Sequence, residues 1–383
     1  MDAHERIDFA KKLLSRRSEA RYPSDDIVLE RIAGEKKLTI YFGIDPTGAD
    51  IHLGHTVALL LLKGLAELGH DIVLLVGDFT ARIGDPTGKD AARVALSGEQ
   101  IDENMKTYQE QVAKVLPAQR FRIAYNGEWL SALTMEQVLK LTSMVTVQQM
   151  MQRDMFQRRQ AEGRPIHVSE FLYPLMQGYD SVALQTDGEV GGNDQTFNML
   201  VGRELEREII GKDKIVITTP LLVDATTGKK MSKSEGTLIA LSDSPQEIRR
   251  KVLDVDDKMI RTLFELCTER DQAWIDERCP EGRAPNDPRG MKEDLAAELV
   301  RMYHGEEAVV DAGKAAEVAI KEGSMPIAMF LKEYGFARSM SEAKTLVSEG
   351  AVRVNDEIQK GWEYEVKKGD TIKIGKGRFA RLV

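Results

Sequence analysis

The sequence predicts an α/β protein: a Rossmann-like parallel sheet domain, followed by an all-helical domain and a small α+β domain. Residues 38–44 are short, β-branched and aromatic, which favours a buried strand. A helical apolar stripe follows over residues 52–68, and a second strand pattern begins soon afterwards at residues 71–76. A strand, a helix and a strand joined by such short connections form a parallel crossover unit, from which doubly wound sheets are built.

Later segments extend this plan. The remaining elements expected for the sheet domain are a strand at 121–125, helices within 134–160, a helix at 170–184, a helix at 194–210 and a strand at 214–219. Turn and loop residues follow the last of these strands. The predicted sheet domain therefore covers residues 1–240.

The rest of the chain divides into two further parts. Residues 245–322 are charged and helical in pattern, with no convincing strand, so we expect an all-helical domain over residues 241–322. From residue 324 onward the pattern changes, which predicts a small α+β domain over residues 323–383. Its expected elements are helices at 326–334 and 341–348 and strands at 351–355 and 371–374.

Composition excludes several classes of protein. The chain has 383 residues, of which 42% are hydrophobic and 30% charged, as in a globular protein of two or three domains. No apolar stretch approaches the roughly 20 residues that cross a membrane, and the first 15 residues lack a secretory core. Cys267 and Cys279 have no paired spacing that would support disulfides or zinc. We expect a cytoplasmic protein without a membrane partner or a protein-bound metal.

Charge is distributed unevenly along the chain. The formal net charge is -9, yet the segment from residue 321 onward carries 12 lysines and arginines against 9 acidic residues. Every charged residue after Asp370 is basic: Lys373, Lys376, Arg378 and Arg381. Such asymmetry points to a polyanionic partner, although a solvated basic surface explains it equally well.

The first candidate site is the sequence GIDPTGADIHLGH, which runs from Gly43 to His55 and joins a strand end, a tight turn and a helix start. His52 and His55 are three residues apart and share a face of the first helical turn, where free N–H groups and the helix dipole favour phosphate. Gly54 permits a ligand to approach the backbone. Two histidines that cap a helix or face solvent would have the same spacing, so this motif alone leaves both interpretations open.

The second candidate site is the sequence GKKMSKSEG at residues 228–236, just after the last predicted strand. A glycine-flanked loop of this kind can close over a triphosphate and bring ammonium groups to the pyrophosphate as its negative charge develops. A solvated, lysine-rich turn is the alternative when the loop is considered by itself. Its polar residues are Lys229, Lys230, Ser232, Lys233 and Ser234.

Together, HLGH and KMSKS resemble the paired HIGH and KMSKS motifs of class I aminoacyl-tRNA synthetases, in the same order and topological places. The resemblance implies ATP as a substrate, with Mg²⁺ carried by the nucleotide, and the activation of a carboxylate as its adenylate. An amino-acid carboxylate is already ionised at pH 7, so this reaction needs positioning and charge stabilisation but no general base. The implied catalytic residues are Thr47, His52, His55, Lys230 and Lys233, and the implied ATP contacts also include Gly43, Gly54, Gly192, Asp194, Ser232 and Ser234.

A third pattern concerns the amino acid. Tyr173, Gln177 and Asp180 fall at positions i, i+4 and i+7 of a predicted helix and therefore line one face. A phenol, an amide and a carboxylate on a mostly apolar helix suit a polar ligand, although the polar edge of an amphipathic helix is the alternative. The segment EVGGNDQ at residues 189–195 follows at a strand-to-helix junction, where Asp194 can accept hydrogen bonds from a ribose.

These residues, as YPLMQGYD and GGNDQ, resemble the Tyr-x-x-x-Gln-x-x-Asp and Gly-Gly-x-Asp-Gln patterns of the tyrosyl-tRNA synthetase family, and the resemblance covers nearly the whole chain. It implies a tyrosine pocket and a separate loop that contacts pyrophosphate. The implied roles are Tyr41 and Asp180 for the substrate phenol, Tyr173, Gln177 and Asp85 for its ammonium group, Gln195 for its carboxyl end, Asp194 for the ribose, Asp45 beside the reacting groups, and Lys89 with Arg93 in the pyrophosphate loop.

The same resemblance implies the partners L-tyrosine, ATP and tRNA(Tyr), and a homodimer. The helical domain would approach the anticodon region, and the C-terminal segment looks like an S4-type RNA-binding fold. The methionine-rich segment 144–155 is a candidate dimer interface, with ordinary core packing as the alternative. The implied tRNA contacts are Arg353, Lys373, Lys376 and Arg378.

Three other classes share parts of these patterns. A tryptophanyl-tRNA synthetase would carry both ATP motifs, but is not expected to carry the polar set on the helix at 170–184. A smaller nucleotidyltransferase would carry the HxGH site, but would not need residues 245–383. An RNA-binding paralogue without activity would keep the basic tail and tolerate losses in the ATP motifs. Because all of those motifs are intact, tyrosine activation and transfer to tRNA is the function that we expect.

Overall fold

The structure is a computed structural model that describes most of the chain. The chain forms two compact units. The described residues are 1–87, 97–223, 238–282, 284–312, 316–318, 323–355, 357–375 and 378–382. The first unit contains residues 1–242 and 261–275, and the second contains residues 243–260 and 276–383. The predicted domain boundaries near residues 240 and 322 stay a prediction.

A six-stranded sheet organises the first unit. Its strands are β1 (Ala20–Tyr22), β2 (Thr39–Ile44), β3 (Asp71–Val76), β4 (Phe121–Tyr125), β5 (Gly188–Gly192) and β6 (Ile215–Thr219). The order across the sheet is β1-β6-β5-β2-β3-β4, and every neighbouring pair is parallel except β1 with β6. The α/β fold class expected from the sequence is confirmed, with an antiparallel edge strand that the sequence did not predict.

Helices connect these strands, and the side chains that the helices bury are those of the apolar stripes in the sequence. The helices are α1 (Ala3–Arg17), α2 (Asp25–Ala33), α3 (Leu53–Glu67), α4 (Thr80–Ile83), α5 (Gly98–Met105), α6 (Tyr108–Ala113), α7 (Gly127–Leu130), α8 (Met135–Ser143), α9 (Val147–Met150), α10 (Asp154–Ala161), α11 (Val168–Leu184) and α12 (Thr196–Ile210), with 3-10 turns at Ala118–Arg120 and Asn193–Gln195. Along α3, Val57, Leu61 and Leu65 are fully buried, as the helical spacing of the apolar residues requires.

The order in which successive strands join this sheet reverses at its middle strand, β2. From β2 the chain proceeds outward through β3 to β4, whereas β5 pairs with the opposite side of β2 and leads outward to β6. In doubly wound sheets, ligands bind in the crevice at the carboxyl ends of the strands where the order reverses. The carboxyl ends of β2 and β5, Ile44 and Gly192, therefore mark the expected binding crevice.

The second unit combines helices with two small sheets. The further helices of the chain are α13 (Pro245–Asp254), α14 (Met259–Cys267), α15 (Gln272–Arg278), α16 (Pro288–His304), α17 (Glu306–Ala312), α18 (Ile327–Glu333) and α19 (Met340–Ser348). Most of α14 and the first half of α15 belong to the first unit. The further strands are β7 (Ala316–Val318), β8 (Ser324–Pro326), β9 (Val352–Val354), β10 (Glu357–Gln359), β11 (Glu365–Lys367), β12 (Thr371–Ile374) and β13 (Arg378–Leu382). The larger sheet has the order β10-β9-β12-β13-β7, and β8 pairs with β11.

One expectation for this unit is wrong. We expected no strand between residues 245 and 322, but β7 lies there and pairs in parallel with β13, so that Ala316 is opposite Ala380. A three-residue strand gives too short a pattern to recognise, and its partner lies more than sixty residues away in the sequence. Among the helices that the structure describes, none is long and apolar enough to span a membrane.

Candidate active site

A pocket lies at the carboxyl ends of β2 and β5, where the strand order reverses. It brings together residues from β2, β5, α3 and α11 that the sequence placed in separate motifs. The predicted site residues that line it are Tyr41, Gly43, Asp45, Thr47, His52, Gly54, His55, Asp85, Tyr173, Gln177, Asp180, Gly192, Asp194 and Gln195. All predicted tyrosine and ATP residues within the described part of the chain thus meet at one pocket.

The two histidines cap α3 and line the pocket at the same time. His52 is the N-cap residue, and its Nδ1 accepts a hydrogen bond from the Gly54 amide at 3.2 Å. His55 Nδ1 accepts from the His52 amide, also at 3.2 Å, and the ring centroids lie 3.9 Å apart. Because Nδ1 is the acceptor in both rings, the proton of each neutral imidazole resides on Nε2. The capping alternative is therefore real, and both histidines line the pocket as well.

Thr47 lies in a turn that neighbouring side chains hold in place. Asn104 donates to the carbonyl of Pro46 at 2.8 Å, and the Tyr108 hydroxyl donates to the carbonyl of Gly48 at 2.5 Å. The Thr47 amide itself donates to the Asp45 carbonyl at 2.7 Å. These bonds fix the backbone between β2 and α3, so the Thr47 side chain stays at the pocket wall.

Asp45 is held between two hydroxyl groups. Its Oδ1 accepts from Thr80 Oγ1 at 2.7 Å, and its Oδ2 accepts from the Tyr173 hydroxyl at 2.8 Å. Burial, followed by the nearby carboxylates of Asp45 and Asp85, raises the pKa of Tyr173 well above its ordinary value. Tyr173 therefore stays a neutral hydrogen-bond donor across the physiological range.

One end of the pocket is buried and is formed by Tyr41, Gln177, Asp180 and Glu189. The carboxyl group of Asp180 and the hydroxyl group of Tyr41 lie at its base. Asp180 is 2% exposed, and it accepts from Trp129 Nε1 at 2.8 Å and from Asn126 Nδ2 at 3.2 Å. Burial raises the pKa of Asp180 well above its ordinary value, although those two donors oppose the shift. Tyr41 is fully buried, and desolvation likewise raises its pKa.

Gln177 and Glu189 complete the buried end. Gln177 Nε2 donates to Glu189 Oε1 at 3.2 Å. Gln177 Oε1 is buried and has no hydrogen-bond partner within the described part of the chain. A buried acceptor without a donor is unfavourable, so the pocket offers this oxygen to a ligand that can donate.

Asp85 and Gln195 approach the pocket from different elements. Asp85 Oδ1 accepts from the amide and the hydroxyl of Thr87, and its Oδ2 accepts from Gln195 Nε2 at 2.8 Å. Gln195 Oε1 accepts in turn from Asn198 at 2.9 Å. These bonds join the loop after α4 to the start of α12 beside the pocket.

The described residues on either side of the segment 224–237 contact the pocket wall or the start of α3. Leu222, which precedes the segment 224–237, lines the pocket wall. After that segment the Ile239 carbonyl accepts from the Leu53 amide at 3.0 Å, and the Leu241 amide donates to the Ile51 carbonyl at 2.8 Å. The predicted residues Lys230, Ser232, Lys233 and Ser234, together with Lys89, Arg93 and Lys376, lie outside the described residues.

In the second unit, a basic groove is lined by Arg289, Arg353 and Lys373, together with Gly350, Ala351 and Gly375. Arg353 on β9 and Lys373 on β12 are directly opposite each other in antiparallel register. Like charges in that position destabilise a sheet unless an anion lies near. Arg378 is at the start of β13, and its register partner is Ile374 of β12.

Within the described residues, no group of three or more histidine, cysteine, aspartate or glutamate side chains could hold a metal ion.

The family model for class I tRNA synthetases (W and Y) matches residues 33–321, and an S4 domain model matches residues 325–372. The chain belongs to the class I aminoacyl-tRNA synthetases. Its S4 match agrees with the resemblance noted for the C-terminal segment.

Two relatives of this synthetase are both named tyrosine–tRNA ligase. The chain is 40% identical to a tyrosine–tRNA ligase of Moorella thermoacetica, covering 94% of this chain and 92% of the relative. It is 42% identical to a tyrosine–tRNA ligase of Thermotoga maritima, covering 94% of each chain. The resemblance to the tyrosyl-tRNA synthetase family is thereby confirmed.

Solved structures support the fold of this synthetase. A tyrosyl-tRNA synthetase of Archaeoglobus fulgidus, complexed with L-tyrosine, is similar with a TM-score of 0.63 and 24% identity, covering 82% of this chain and 99% of that one. A truncated mitochondrial tyrosyl-tRNA synthetase of Coccidioides posadasii gives a TM-score of 0.65 at 24% identity, covering 80% and 90%.

Sequence reasoning missed several polar residues of this synthetase's pocket. Trp129 and Asn126 bond Asp180 from α7 and the residue before it, a stretch that the sequence offered no reason to single out. Glu189 lies in a buried strand among glycines and valine, and a carboxylate there is an unusual core choice. That mismatch was a usable signal. The same holds for Lys214, which directly precedes the buried strand β6.

Proposed function

We propose that this chain activates L-tyrosine with ATP as tyrosyl-adenylate and then transfers the tyrosyl group to tRNA(Tyr). Asp180, a buried acceptor beside Tyr41 at the base of the pocket, carries this proposal. A phenol hydroxyl that reached Asp180 would donate to it, whereas phenylalanine would bring no donor to a desolvated carboxyl group. The name shared by the two curated relatives supports the same substrate.

Other groups of the pocket suit the ammonium and carboxyl groups of tyrosine. The unpartnered Gln177 Oε1 would accept from the substrate ammonium, and Asp85 would supply the opposite charge. Tyr173, whose hydroxyl donates to Asp45, would form the wall between them. Gln195 would contact the carboxyl end, and Asp194 the ribose of ATP.

The chemistry requires one bond to form and one to break. A tyrosine carboxylate oxygen, already ionised at pH 7, attacks the α-phosphorus of ATP, and the bond from that phosphorus to the pyrophosphate oxygen breaks. Thr47 and the Nε2–H groups of His52 and His55 would donate to phosphate oxygens as charge develops there. Gly43, Gly54 and Gly192 leave room for the nucleotide near the backbone.

The lysines would complete the phosphate site. Leu222, before the segment 224–237, lines the pocket, and Ile239, after it, bonds the first residue of α3. These flanking contacts support the placement of Lys230 and Lys233, with Ser232 and Ser234, over the triphosphate. By family resemblance, Lys89 and Arg93 would act on the leaving pyrophosphate. Mg²⁺ carried by ATP would neutralise part of the triphosphate charge.

In the second step, a terminal ribose hydroxyl of the tRNA attacks the tyrosyl carbonyl and AMP leaves. The opposed pair Arg353 and Lys373 supports a role for the S4 segment in binding RNA phosphates, with Lys376 and Arg378 as further contacts. This function agrees with a cytoplasmic location, where buried cysteines such as Cys267 and Cys279 stay reduced.

A homodimer is part of the proposal, and its proposed surface includes only part of the segment 144–155 first considered. Met150 and Met155 are buried within the chain, so core packing accounts for both of them. Exposed apolar side chains lie before and within that segment: Met135 and Leu139 on α8 are 73% and 62% exposed, and Val147 on α9 is 63% exposed. Such exposure suits burial against a second copy.

The assay that tests the proposed activity is amino-acid-dependent exchange between ATP and pyrophosphate. Tyrosine is expected to support exchange, while tryptophan and phenylalanine are not, because neither presents a phenol to Asp180. Exchange with tryptophan and not with tyrosine would contradict the proposal.

The dimer is tested separately by sedimentation. Leu139→Glu places a charge on the proposed interface and is expected to give monomers at concentrations where the unmodified chain is dimeric. Lys140→Glu, on the same helix, is the control. Sedimentation of the unmodified chain as a monomer would refute the interface.

A further inference from the structure

A lysine ammonium is buried behind the pocket wall. Lys214 directly precedes β6, and its side chain is 0% exposed. The Nζ atom donates to Glu189 Oε2 and to Ser181 Oγ, and it lies 5.4 Å from the centroid of the Tyr41 ring. A lysine so completely removed from water is rare unless it is paired, and here both polar partners are neighbours of the pocket.

Two glycines make room for this ammonium. Gly178 on α11 and Gly202 on α12 face each other where the two helices approach closely. A Cβ atom at Gly202 would lie 2.8 Å from Lys214 Nζ and 3.1 Å from the Gly178 Cα. The helix pair therefore contains a space that the lysine head group fills, and the position of Nζ is determined by packing as well as by its bonds.

Glu189 transmits this position to the pocket. One carboxylate oxygen, Oε2, accepts from Lys214, while the other, Oε1, accepts from Gln177 Nε2 at 3.2 Å. An ionised carboxylate can only accept hydrogen bonds, so the Gln177 amide must turn its nitrogen toward Glu189. Its oxygen then points away, and that oxygen is the buried acceptor without a partner within the described residues.

We propose that Lys214 is a positioning residue, which orients the Gln177 amide through Glu189 so that Gln177 Oε1 faces the ammonium group of the amino-acid substrate. This inference rests on the proposed function, because it assigns that ammonium group to the pocket. Without the lysine, Glu189 Oε2 loses the ammonium group that holds it, so the carboxylate is no longer fixed in one position. A carboxylate that can turn no longer holds the Gln177 amide in one orientation.

The test compares tyrosine with an analogue that lacks the ammonium group, 3-(4-hydroxyphenyl)propionate. Equilibrium dialysis gives the dissociation constant of each for the unmodified chain and for Lys214→Met. Loss of a hydrogen bond to a charged group is expected to weaken tyrosine binding roughly tenfold or more, while the analogue changes by less than about twofold. The KM for ATP is expected to stay the same.

Lys212→Met is the matched control. Lys212 lies two residues away and contacts a carboxylate too, Asp187 at 3.2 Å, but its side chain is 29% exposed and it does not line the pocket. It is expected to leave both dissociation constants unchanged. Equal weakening of tyrosine and the analogue by Lys214→Met would show general damage to the pocket and overturn the inference, as would unchanged tyrosine binding.

If Lys214→Met does not fold, Glu189→Gln decides the question. This change keeps the shape of the side chain and replaces a pure acceptor by an amide that can donate to Gln177, so the same selective loss of tyrosine is expected. If the ratio of the dissociation constants for tyrosine and the analogue is the same in the variant and in the unmodified chain, the inference is overturned. Failure of the unmodified chain to bind tyrosine would instead refute the proposed function.

Discussion

The buried end of the pocket and the basic groove both present polar groups to a ligand, yet they arrange charge in opposite ways. At the buried end, Asp180 and Glu189 each accept from identified donors, and water is largely excluded. In the basic groove, Arg353 and Lys373 have the same sign and lie opposite each other on a sheet surface.

This difference determines how each region discriminates. Desolvated groups leave a large penalty when one partner is missing, so the buried end can reject a ligand that lacks a single hydroxyl. Exposed charges of one sign attract any polyanion, and salt screens that attraction. Selectivity is therefore expected from the pocket, and affinity that depends on salt is expected from the groove.

The largest expected effect is at Asp180. Asp180→Asn places an amide where Trp129 and Asn126 both donate, so one donor is expected to face another. We expect kcat/KM for tyrosine in pyrophosphate exchange to fall roughly a hundredfold or more, and the KM for ATP to change little. Because burial raises the pKa of Asp180, its ionised form destabilises the fold at neutral pH. The amide removes that cost but adds a donor that faces a donor, so the Tm of the variant is expected to change little. A large fall in Tm would point to unfolding instead.

A second test uses a carboxyl group behind the buried end. Glu206 on α12 is fully buried, and neither of its oxygens has a hydrogen-bond partner among the described residues. Burial raises its pKa from 4.5 to about 7, although Lys214 and Lys212 oppose the shift. Between these pH values the folded chain holds a proton that the unfolded chain has lost, so stability falls as pH rises through this window.

Glu206→Gln is therefore expected to raise the free energy of unfolding above pH 7, by on the order of 3 kcal/mol, and to have little effect near pH 4.5. Thermal unfolding at a series of pH values measures this difference. Glu204→Gln, on the same helix but half exposed, is the control. A benefit that did not depend on pH would show that Glu206 stays ionised or stays protonated throughout.

The smallest effect is expected in the basic groove. Arg353→Gln removes one charge of the opposed pair, so the KM for tRNA is expected to rise only a few-fold and the salt slope of tRNA binding to decrease by roughly one. Pyrophosphate exchange is expected to be unchanged. Lys360→Gln, an exposed lysine outside the groove, is the control. A hundredfold loss would mean that the groove discriminates as the buried end does.

Much of the fold was accessible from sequence because the relevant patterns are local. The strands at 71–76 and 121–125 have the predicted bounds, since each is a short β-branched or aromatic run between clear turns. The strands that were missed also include β8, β10, β11 and β13. Two of the missed strands, β1 and β7, have three residues each, and their partners β6 and β13 lie far away in the sequence. A short sequence segment contains no signal for pairing with a strand so far away in the chain.

The residues of the site also fall into those that a local pattern predicts and those that it does not. His52, His55 and the polar face of α11 were predicted because a motif or a helical spacing marks them. Trp129, Ser181 and Lys214 matter through contacts that exist only after folding: one bonds Asp180, another bonds Tyr41 at 2.9 Å, and the third holds Glu189. Their roles follow from geometry, and no spacing rule contains them.

The bond from Trp129 to Asp180 gives the pocket an optical reporter. The chain has three tryptophans, and Trp129 is the one whose indole nitrogen donates to the acceptor at the base of the pocket. Indole emission responds to the charge and hydrogen bonding of its N–H group. Replacing Trp274 and Trp362 by phenylalanine would leave a single fluorophore, so that occupancy of the buried end could be followed in real time without a label.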